Sequence, residues 1–409
     1  MKYAQRVSFG YMGFAVLVGY QMLLTEFPSL NAAFGQSFGD FMIFSYSFAF
    51  NAALFINILV GKRFTEMRRV LTAAIFAAAA VSLLPLTASL IGSSKAGFWL
   101  ALIETFCYAM GTAIFQGATQ GIASRLKDEI NMSWFAVGHS LSGLLGMPIK
   151  VLLELCGLRS SSTYYVTIEI GALLTLISAL VFFYNINGLT KEHDDIKTHV
   201  RSMSTAASLK DDESVGISCL KKSDDHSKKD IYDHSVSHLN KTQVIKKTFP
   251  AAFNVWLCCF ITFALFPNEA YQWNEYTTYM IFTFQVSDFI GRLIGGYTVP
   301  FVANNERGDT FGIPKRIYIL SSLRLLFVLF FLASSFEVTA FKNVVIRFIL
   351  MGTLGMSFGL IVTYCMILGP ASVAGEKDKV TAGYIMAFAL MNGILSGSVA
   401  GLALRAIPR

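Results

Sequence analysis

The chain has 409 residues, of which 54% are hydrophobic and only 14% are charged, against about 25% charged in a typical soluble domain. Its mean hydropathy is +0.54, so polar surface is too scarce to cover the interior in water, and soluble, disordered, collagen-like, coiled-coil and disulfide-rich classes are excluded. The net charge of +7 comes from short basic loops between apolar runs, which indicates membrane orientation and no nucleic-acid partner.

A helix that spans a bilayer needs about 20 mostly apolar residues, and eleven segments of the chain fit that requirement. In chain order they are Val7–Leu24, Phe41–Val60, Val70–Ile91, Phe98–Ala123, Trp134–Leu155, Tyr165–Tyr184, Pro250–Phe266, Thr277–Val302, Ile317–Leu332, Phe341–Leu368 and Val380–Ala406. The first has no small-residue cleavage site after it, so we interpret it as a retained span rather than a signal peptide. The sequence therefore predicts an all-α, polytopic membrane protein with 11 transmembrane helices.

Basic residues of the short loops collect on one side of the predicted membrane. That side holds Lys2, Arg6, Lys62, Arg63, Arg68, Arg69, Arg125, Lys127, Arg307, Lys315, Arg316, Lys377 and Lys379, and the other only Lys95, Arg159, Lys342, Arg405 and Arg409. Since cytoplasmic loops are rich in Lys and Arg, the N-terminus is predicted to be cytoplasmic and the C-terminus extracellular. Two Asn-x-Ser/Thr motifs, at Asn131 and Asn240, then lie on the cytoplasmic side and should stay unglycosylated.

A polar stretch, residues 187–249, separates the sixth and seventh predicted spans and carries clustered charges of both signs. Its apolar content is too low to build a core, so it is predicted to be a disordered cytoplasmic linker. The predicted domains are therefore an N-terminal six-helix bundle over 1–186, this linker, and a C-terminal five-helix bundle over 250–409. Such a two-bundle layout is typical of transporters in which one half rocks against the other around a midplane site.

A charge at the bilayer centre costs about 2.5–3.5 kcal/mol, so a charge inside a span is a functional candidate by default. Asp288 and Arg292 are four residues apart in the eighth span and share one helix face, with Gln285 one turn before Asp288. Arginine has five donors in a planar fork, which suits paired hydroxyls or a carbonyl, and the carboxylate would orient that fork. A purely structural salt bridge is the alternative.

Four further polar side chains inside the spans are candidates for substrate contact. Gln116 in the fourth span offers both a donor and an acceptor, which suits a nucleobase edge, whereas interhelical hydrogen bonding is the alternative. His139 is the only histidine in a predicted span and suits substrate contact, proton sensing or packing. Tyr20 and Gln21 set a ring beside an amide, for stacking on a base or for packing in the wall.

Other embedded residues have structural interpretations. Lys150 and Glu154 are predicted to pair across one turn near the outer end of the fifth span. Arg324 is predicted near the cytoplasmic end of the ninth span, where its side chain would reach the membrane surface. Small-xxx-small steps predict close helix packing, with sliding surfaces as the alternative for some; they are Gly117/Gly121, Gly291/Gly295, Gly355/Gly359 and Gly393/Gly397/Gly401.

The motifs of enzymes and metal sites are not found in the sequence. The cysteines and histidines show no metal-ligand spacing, and the histidines of the polar linker are irregularly placed. No phosphate-binding GxxxxGK[ST] loop occurs, which argues against ATP-driven transport, and no hydrolase elbow or metalloprotease motif occurs. We therefore expect no catalytic residues, no metal and no cofactor.

Several of these segments resemble the equilibrative nucleoside transporters over nearly the whole membrane portion. The most specific is Phe284-Gln-Val-Ser-Asp288-Phe-Ile-Gly-Arg292, which is similar to that family's D-x-x-x-R signature. The others are Ser322-Leu-Arg324-Leu-Leu-Phe327, Phe358-Gly-Leu with Gly369-Pro370, Thr381-Ala-Gly383-Tyr-Ile-Met-Ala-Phe388, Gln116, and Gly138-His139 with Gly143. The family also has eleven spans and a large loop between the sixth and seventh.

The resemblance implies a major-facilitator-like fold, a central cavity and alternating access for nucleosides or nucleobases. It implies that Arg292 meets the ribose hydroxyls or the base, that Asp288 holds Arg292, and that Gln116 contacts the base edge. The family commonly has Trp-Asn in its first helix, where this chain has Tyr20-Gln21. That departure bears on the stacking contact and on selectivity.

We therefore predict a transporter of purine-type nucleosides, with nucleobases as a second substrate class, that works by facilitated diffusion. A carrier of another polar solute such as a sugar on the same scaffold, and proton-coupled nucleoside uptake, are the alternatives. The predicted partners are the small-molecule nucleoside and the lipid bilayer, and the protein is expected to be a monomer in the plasma membrane.

Overall fold

The computed structural model describes most of the membrane portion of the chain. The described residues are 2–35, 37–60, 66–92, 94–125, 130–158, 162–185, 239–266, 276–305, 315–336, 341 and 343–405. Most of the predicted linker, residues 187–238, lies outside this part of the chain.

The described residues are helical almost throughout. In chain order the helices are α1 (Lys2–Thr25), α2 (Phe27–Phe34), α3 (Phe38–Val60), α4 (Glu66–Leu90), α5 (Lys95–Arg125), α6 (Ile130–Leu155), α7 (Ser162–Asn185), α8 (Lys241–Leu265), α9 (Thr277–Asn305), α10 (Lys315–Leu323), α11 (Leu325–Ser335), α12 (Val344–Ala371) and α13 (Glu376–Arg405). Each predicted span falls on one of these helices or, for the ninth span, on the pair α10 and α11.

Within the described ranges, nine helical segments are long and apolar enough to cross a membrane. The other two predicted spans are α9 and α3, whose apolar part Phe41–Asn57 is shorter. The all-α, polytopic architecture is therefore confirmed, and the count of eleven spans stays a prediction.

Helix α8 begins well before the predicted boundary at Pro250. Its start is held by the side chain of Gln243, whose Oε1 accepts from the backbone N–H of Asn240 at 3.2 Å. This contact is typical of a capping box. The amide of Leu239 in turn donates to Asp378 Oδ2 of α13 at 3.2 Å. These contacts order residues 239–249, the end of the predicted linker. The low apolar content of that segment did not predict them.

The helices before the linker, α1–α7, pack mainly on one another, as do the helices after it, α8–α13. In the first group α1 lies against α6, and α5 lies against α3 and α4; in the second, α8 lies against α13 and α12, and α9 against α12. The two groups meet where α9 packs on α6 and where α13 packs on α5 and α3. This packing agrees with two bundles, whose separate movement stays a prediction.

Glycines set the closest helix approaches. A Cβ at Gly138 of α6 would lie 2.0 Å from the carbonyl oxygen of Gly10 on α1, and one at Gly359 of α12 would lie 2.2 Å from the carbonyl oxygen of Asp288 on α9. Real Cβ atoms do not come so near a carbonyl, so only glycine fits. These small residues therefore serve packing inside each group, as one of the two interpretations expected.

Gly117 and Gly121 of α5 differ from these glycines because they lie where the two groups of helices meet. A Cβ at Gly117 would lie 2.7 Å from the ring of Tyr384 on α13, and one at Gly121 would lie 3.5 Å from the Tyr384 hydroxyl. That hydroxyl also accepts from Arg69 Nη1 of α4 at 3.3 Å, and the same nitrogen donates to Asn57 Oδ1 of α3 at 2.9 Å. Four helices thus meet around Tyr384 toward the predicted cytoplasmic side.

Two expectations about embedded charges are wrong. Arg324 does not reach the membrane surface, because it is 1% exposed and lies at the break between α10 and α11, where it donates to Thr262 Oγ1 at 2.6 Å and to the carbonyl of Leu354 at 3.1 Å. Lys150 binds Glu26 Oε2 at 3.1 Å rather than Glu154. Both side chains bind residues of other helices, and spacing along one helix does not show these contacts.

Candidate functional site

The centre of the candidate site is the pair Asp288 and Arg292 on α9. Arg292 Nε donates to both carboxylate oxygens of Asp288, at 3.0 and 3.1 Å. The side chains are only 4% and 6% exposed, so the two charges neutralise each other away from water. The predicted pairing across one helical turn is therefore present.

The guanidinium of Arg292 also reaches across to the other group of helices. Its Nη1 donates to the carbonyl of Ala136 on α6 at 3.2 Å, and its Cζ lies 5.6 Å from the ring centroid of Phe358 on α12, a cation–π distance. Of the five N–H groups of an arginine, those on Nη2 find no hydrogen-bond partner in the described part of the chain. The ion pair is therefore held in a fixed orientation, and Arg292 still has N–H donors without a partner in the described part of the chain.

Gln285 lies one turn before Asp288 and connects α9 to α1. Its Nε2 donates to Gln21 Oε1 at 3.1 Å. The Gln285 amide fits against α6 because residue 143 is a glycine. A Cβ at Gly143 would lie 2.1 Å from Gln285 Oε1. Two of the predicted site residues, far apart in the sequence, are thus joined directly.

His139 lies on α6, three residues after the carbonyl that Arg292 binds. It is 4% exposed, its ring centroid is 4.5 Å from that of Phe135, and it lies within electrostatic range of Arg292. Its Nε2 has no hydrogen-bond partner among the described residues. His139 is thus packed on one side and keeps an unused polar atom near the arginine.

Tyr20 of α1 stacks on Tyr46 of α3, with the ring centroids 4.2 Å apart and the planes at 21°. One face of the Tyr20 ring is therefore occupied by protein, which agrees with the wall-packing interpretation for that face. The Tyr46 hydroxyl shares a hydrogen bond with Thr112 Oγ1 of α5 at 3.3 Å.

Gln116 of α5 is apart from the other candidates. It is fully buried, and neither its Oε1 nor its Nε2 has a partner in the described ranges. It lies one turn after Thr112, so the contacts from Thr112 to Tyr46 and on to Tyr20 connect its helix with α1. The structure therefore joins Gln21, Gln285, Asp288 and Arg292 into one cluster, and helix α5 with Gln116 packs on the neighbouring helices α3, α1 and α6.

The sequence assigned no role at the ion pair to three groups that lie at or near it, although two of them stand in the family-like segments. The carbonyl of Ala136 has no side-chain signal at all. Phe358 of α12 lies beside Arg292, and its ring centroid is 5.9 Å from that of Phe284 on α9, but they are two of 36 phenylalanines in the chain. Only the packing of α9 against α6 and α12 distinguishes them.

A family model described as "Nucleoside transporter" matches residues 102–406, a stretch that contains α9 and most of α5. The chain belongs to the nucleoside transporter family. It is therefore a multi-pass membrane transporter of a small molecule and not an enzyme. A search of curated proteins finds no match.

The fold of this family member resembles solved structures of major facilitator transporters. The proton:xylose symporter XylE, bound to 6-bromo-6-deoxy-D-glucose, matches with a TM-score of 0.66 at 14% identity, over 97% of this chain and 87% of that chain. A variant of the E. coli fucose:proton symporter FucP matches with a TM-score of 0.58 at 14% identity, over 98% and 92%. At such identities the likeness establishes the fold alone, and the expected major-facilitator-like fold is confirmed.

Proposed function

We propose that this protein carries purine nucleosides across the membrane by alternating access, as facilitated diffusion. Membership of the nucleoside transporter family supports the substrate class. The observation that carries the assignment of the site is the guanidinium of Arg292, which Asp288 orients while its Nη2 keeps unused donors. Donors on one planar guanidinium that have no hydrogen-bond partner in the described part of the chain suit a ligand with paired oxygen acceptors.

In this proposal Arg292 donates to the ribose hydroxyl oxygens, and Asp288 holds the fork in plane. Gln116 contacts the base, because its fully buried amide presents an unpaired donor and an unpaired acceptor. Gln285 and Gln21 close the site from α9 and α1, His139 lies beside Arg292, and Tyr20 forms part of the wall.

The position of the ion pair supports alternating access. Asp288 and Arg292 lie on α9, which packs on α12 in its own group and on α6 in the other. The bonds from Arg292 to Ala136 and from Gln285 to Gln21 cross between the groups. A substrate that binds Arg292 therefore acts on the interface that must open and close.

We further propose that the N-terminus is cytoplasmic, that the C-terminus is extracellular and that the protein resides in the plasma membrane. The excess of basic residues in one set of loops supports this orientation. Three residues could take up protons. Asp288 and His139 are packed against neighbours, and Glu169 accepts from Ser82 Oγ at 2.9 Å. Facilitated diffusion needs no proton step.

The deciding experiment is uptake by purified protein in proteoliposomes. Radiolabelled adenosine, inosine, hypoxanthine, xylose and fucose are compared with and without a pH gradient, at two external pH values. We expect saturable uptake of nucleosides that stops at equal concentrations on both sides and is insensitive to the gradient. Uptake of a sugar without competition by nucleosides would overturn the substrate class, and accumulation driven by the gradient would overturn facilitated diffusion.

A further inference from the structure

Helix α3 carries two buried polar residues that the sequence analysis did not single out, Ser47 and Asn51. They are one turn apart, and both are more than nine-tenths buried. Asn51 Nδ2 donates to the carbonyl of Ser47 at 2.9 Å. Since a carbonyl only accepts, this bond fixes the amide orientation and leaves Asn51 Oδ1 as a pure acceptor.

Neither Asn51 Oδ1 nor Ser47 Oγ has a hydrogen-bond partner among the described residues. A buried polar atom without a partner costs free energy, and native structures rarely retain one without a reason. Gln116 on the neighbouring helix α5 shows the same feature at both amide atoms. Unpaired polar atoms on two packed helices therefore indicate a ligand with its own donors and acceptors.

The packing of α3 on α5 places Asn51 and Gln116 at the same depth. Tyr46 bonds Thr112, one turn before Gln116. Farther along both helices, a Cβ at Gly117 would lie 3.2 Å from Leu54 Cδ2. Because Asn51 precedes Leu54 by three residues, it shares that side of α3, and Gln116 adjoins Gly117. Asn51, with its unpaired Oδ1, and Gln116, with its unpaired amide, thus lie at one depth along the packed helices α3 and α5.

We propose that Asn51, with Gln116, forms a base subsite that selects purines with a 6-amino group over those with a 6-oxo group. This proposal rests on the proposed nucleoside transport. A glutamine amide pairs with N6 and N7 of adenine through one donor and one acceptor. The second N6–H is then available to Asn51 Oδ1, since Asn51 Nδ2 donates to the Ser47 carbonyl.

The selectivity follows from the fixed orientation of Asn51. A 6-oxo purine such as inosine presents an oxygen lone pair where adenosine presents an N–H, so it would face Asn51 Oδ1 with two acceptors together. Unlike a freely turning amide, Asn51 does not invert at low cost, because its nitrogen is bonded to the Ser47 carbonyl. Ser47 Oγ, which both donates and accepts, does not discriminate by itself.

The test compares ligands and variants in one binding assay on purified, detergent-solubilised protein. With wild type we expect adenosine to bind about tenfold tighter than purine riboside, which lacks the 6-substituent, and inosine to bind more weakly still. Asn51→Leu, which keeps the volume and removes the acceptor, should weaken adenosine about tenfold and leave inosine unchanged or improved. Asn57→Leu is the matched control on the same helix, since Asn57 bonds Arg69, and it should change both ligands equally.

The analogue series keeps the proposal falsifiable if Asn51→Leu does not fold. Equal affinity of wild type for adenosine and inosine would overturn the base subsite. An unchanged adenosine-to-inosine ratio in a folded Asn51→Leu protein would also overturn it. Either result would leave nucleoside transport intact, whereas failure of all nucleosides to bind would remove the proposed function itself.

Discussion

Arg292 of α9 donates from Nη1 to the main-chain carbonyl of Ala136 on α6, 3.2 Å away. The side chain that Asp288 orients is therefore also a bond between the two groups of helices. A ligand that takes this donor competes with the contact of α9 and α6. In the proposed mechanism this guanidinium therefore couples substrate recognition to opening of the interface.

Replacing Arg292 by Lys should lower nucleoside affinity about ten- to a hundredfold. Lysine keeps the charge but loses the planar paired donors, and hydrogen bonds to charged groups contribute roughly 1.5–3 kcal/mol. Asp288→Asn should impair binding too, because the arginine loses its counter-charge. The measurement is nucleoside binding to purified variants whose size-exclusion profile matches wild type. Normal affinity in a well-folded Arg292→Lys protein would remove this residue from the site.

Arg324 should be a main determinant of folding stability. Its guanidinium is buried without a carboxylate in salt-bridge range within the described ranges, and it bonds Thr262, Leu354 and Ser357. Arg324→Lys cannot make three such bonds in one plane, so we expect a loss of about 2–4 kcal/mol and a lower Tm in detergent. Thr262→Val, which removes one of the three bonds, should show a smaller decrease. Equal Tm values for all three proteins would contradict this assignment.

Gly138→Ala should disrupt the packing of α1 on α6. The new Cβ would lie 2.0 Å from the carbonyl oxygen of Gly10, whereas a Cβ at Gly10 would meet nothing nearer than the Trp134 ring at 3.5 Å. Overpacking of this kind costs about 1–3 kcal/mol. Gly10→Ala is therefore the matched control and should leave thermal stability nearly unchanged. A Gly138→Ala protein as stable as Gly10→Ala would show that these helices separate easily.

Gly117→Val should open the contact around Tyr384. The Tyr384 ring would lie 2.7 Å from even a single Cβ at this position, and valine adds two methyl groups. We expect faster labelling of a cysteine placed at position 121, read out with a membrane-permeant thiol reagent. Slower transport should accompany it because closure on this side becomes less stable. Unchanged labelling would mean that this contact does not close the pathway.

Shortening the linker should be tolerated only up to residue 238. The amide of Leu239 bonds Asp378, and Asn240 begins α8, so a deletion within 193–238 that spares these residues should leave uptake kinetics nearly unchanged. A deletion that also removes 239–245 should reduce the amount of folded protein. Loss of transport by correctly inserted protein after the shorter deletion would show that the linker does more than connect.

The orientation is tested by an epitope tag at the C-terminus, which should be accessible to antibody on intact cells. Asn131 and Asn240 should stay unmodified. Asn131 is moreover fully buried in α6, so an enzyme could not reach it in the folded protein. A tag that is reached only after permeabilisation would contradict the number of spans or their direction.

The sequence by itself determined the long apolar helices and which polar residues lie inside them, but it predicted neither α2 nor the start of α8 ahead of Pro250. Hydropathy and the 3.6-residue period are properties of one segment, so the position of α9 and the pairing of Asp288 with Arg292 followed from local spacing. The family motif likewise consists of neighbouring residues.

Only the tertiary structure decided which helix each polar side chain meets. Lys150 bonds Glu26 and not Glu154, Arg324 turns inward, and Tyr20 stacks on Tyr46, because each partner comes from a distant part of the chain. The unpaired atoms of Asn51 and Gln116 follow from the same register. Helices in a membrane are positioned by close packing at small residues. The period of a single helix does not specify which residues of two helices lie side by side.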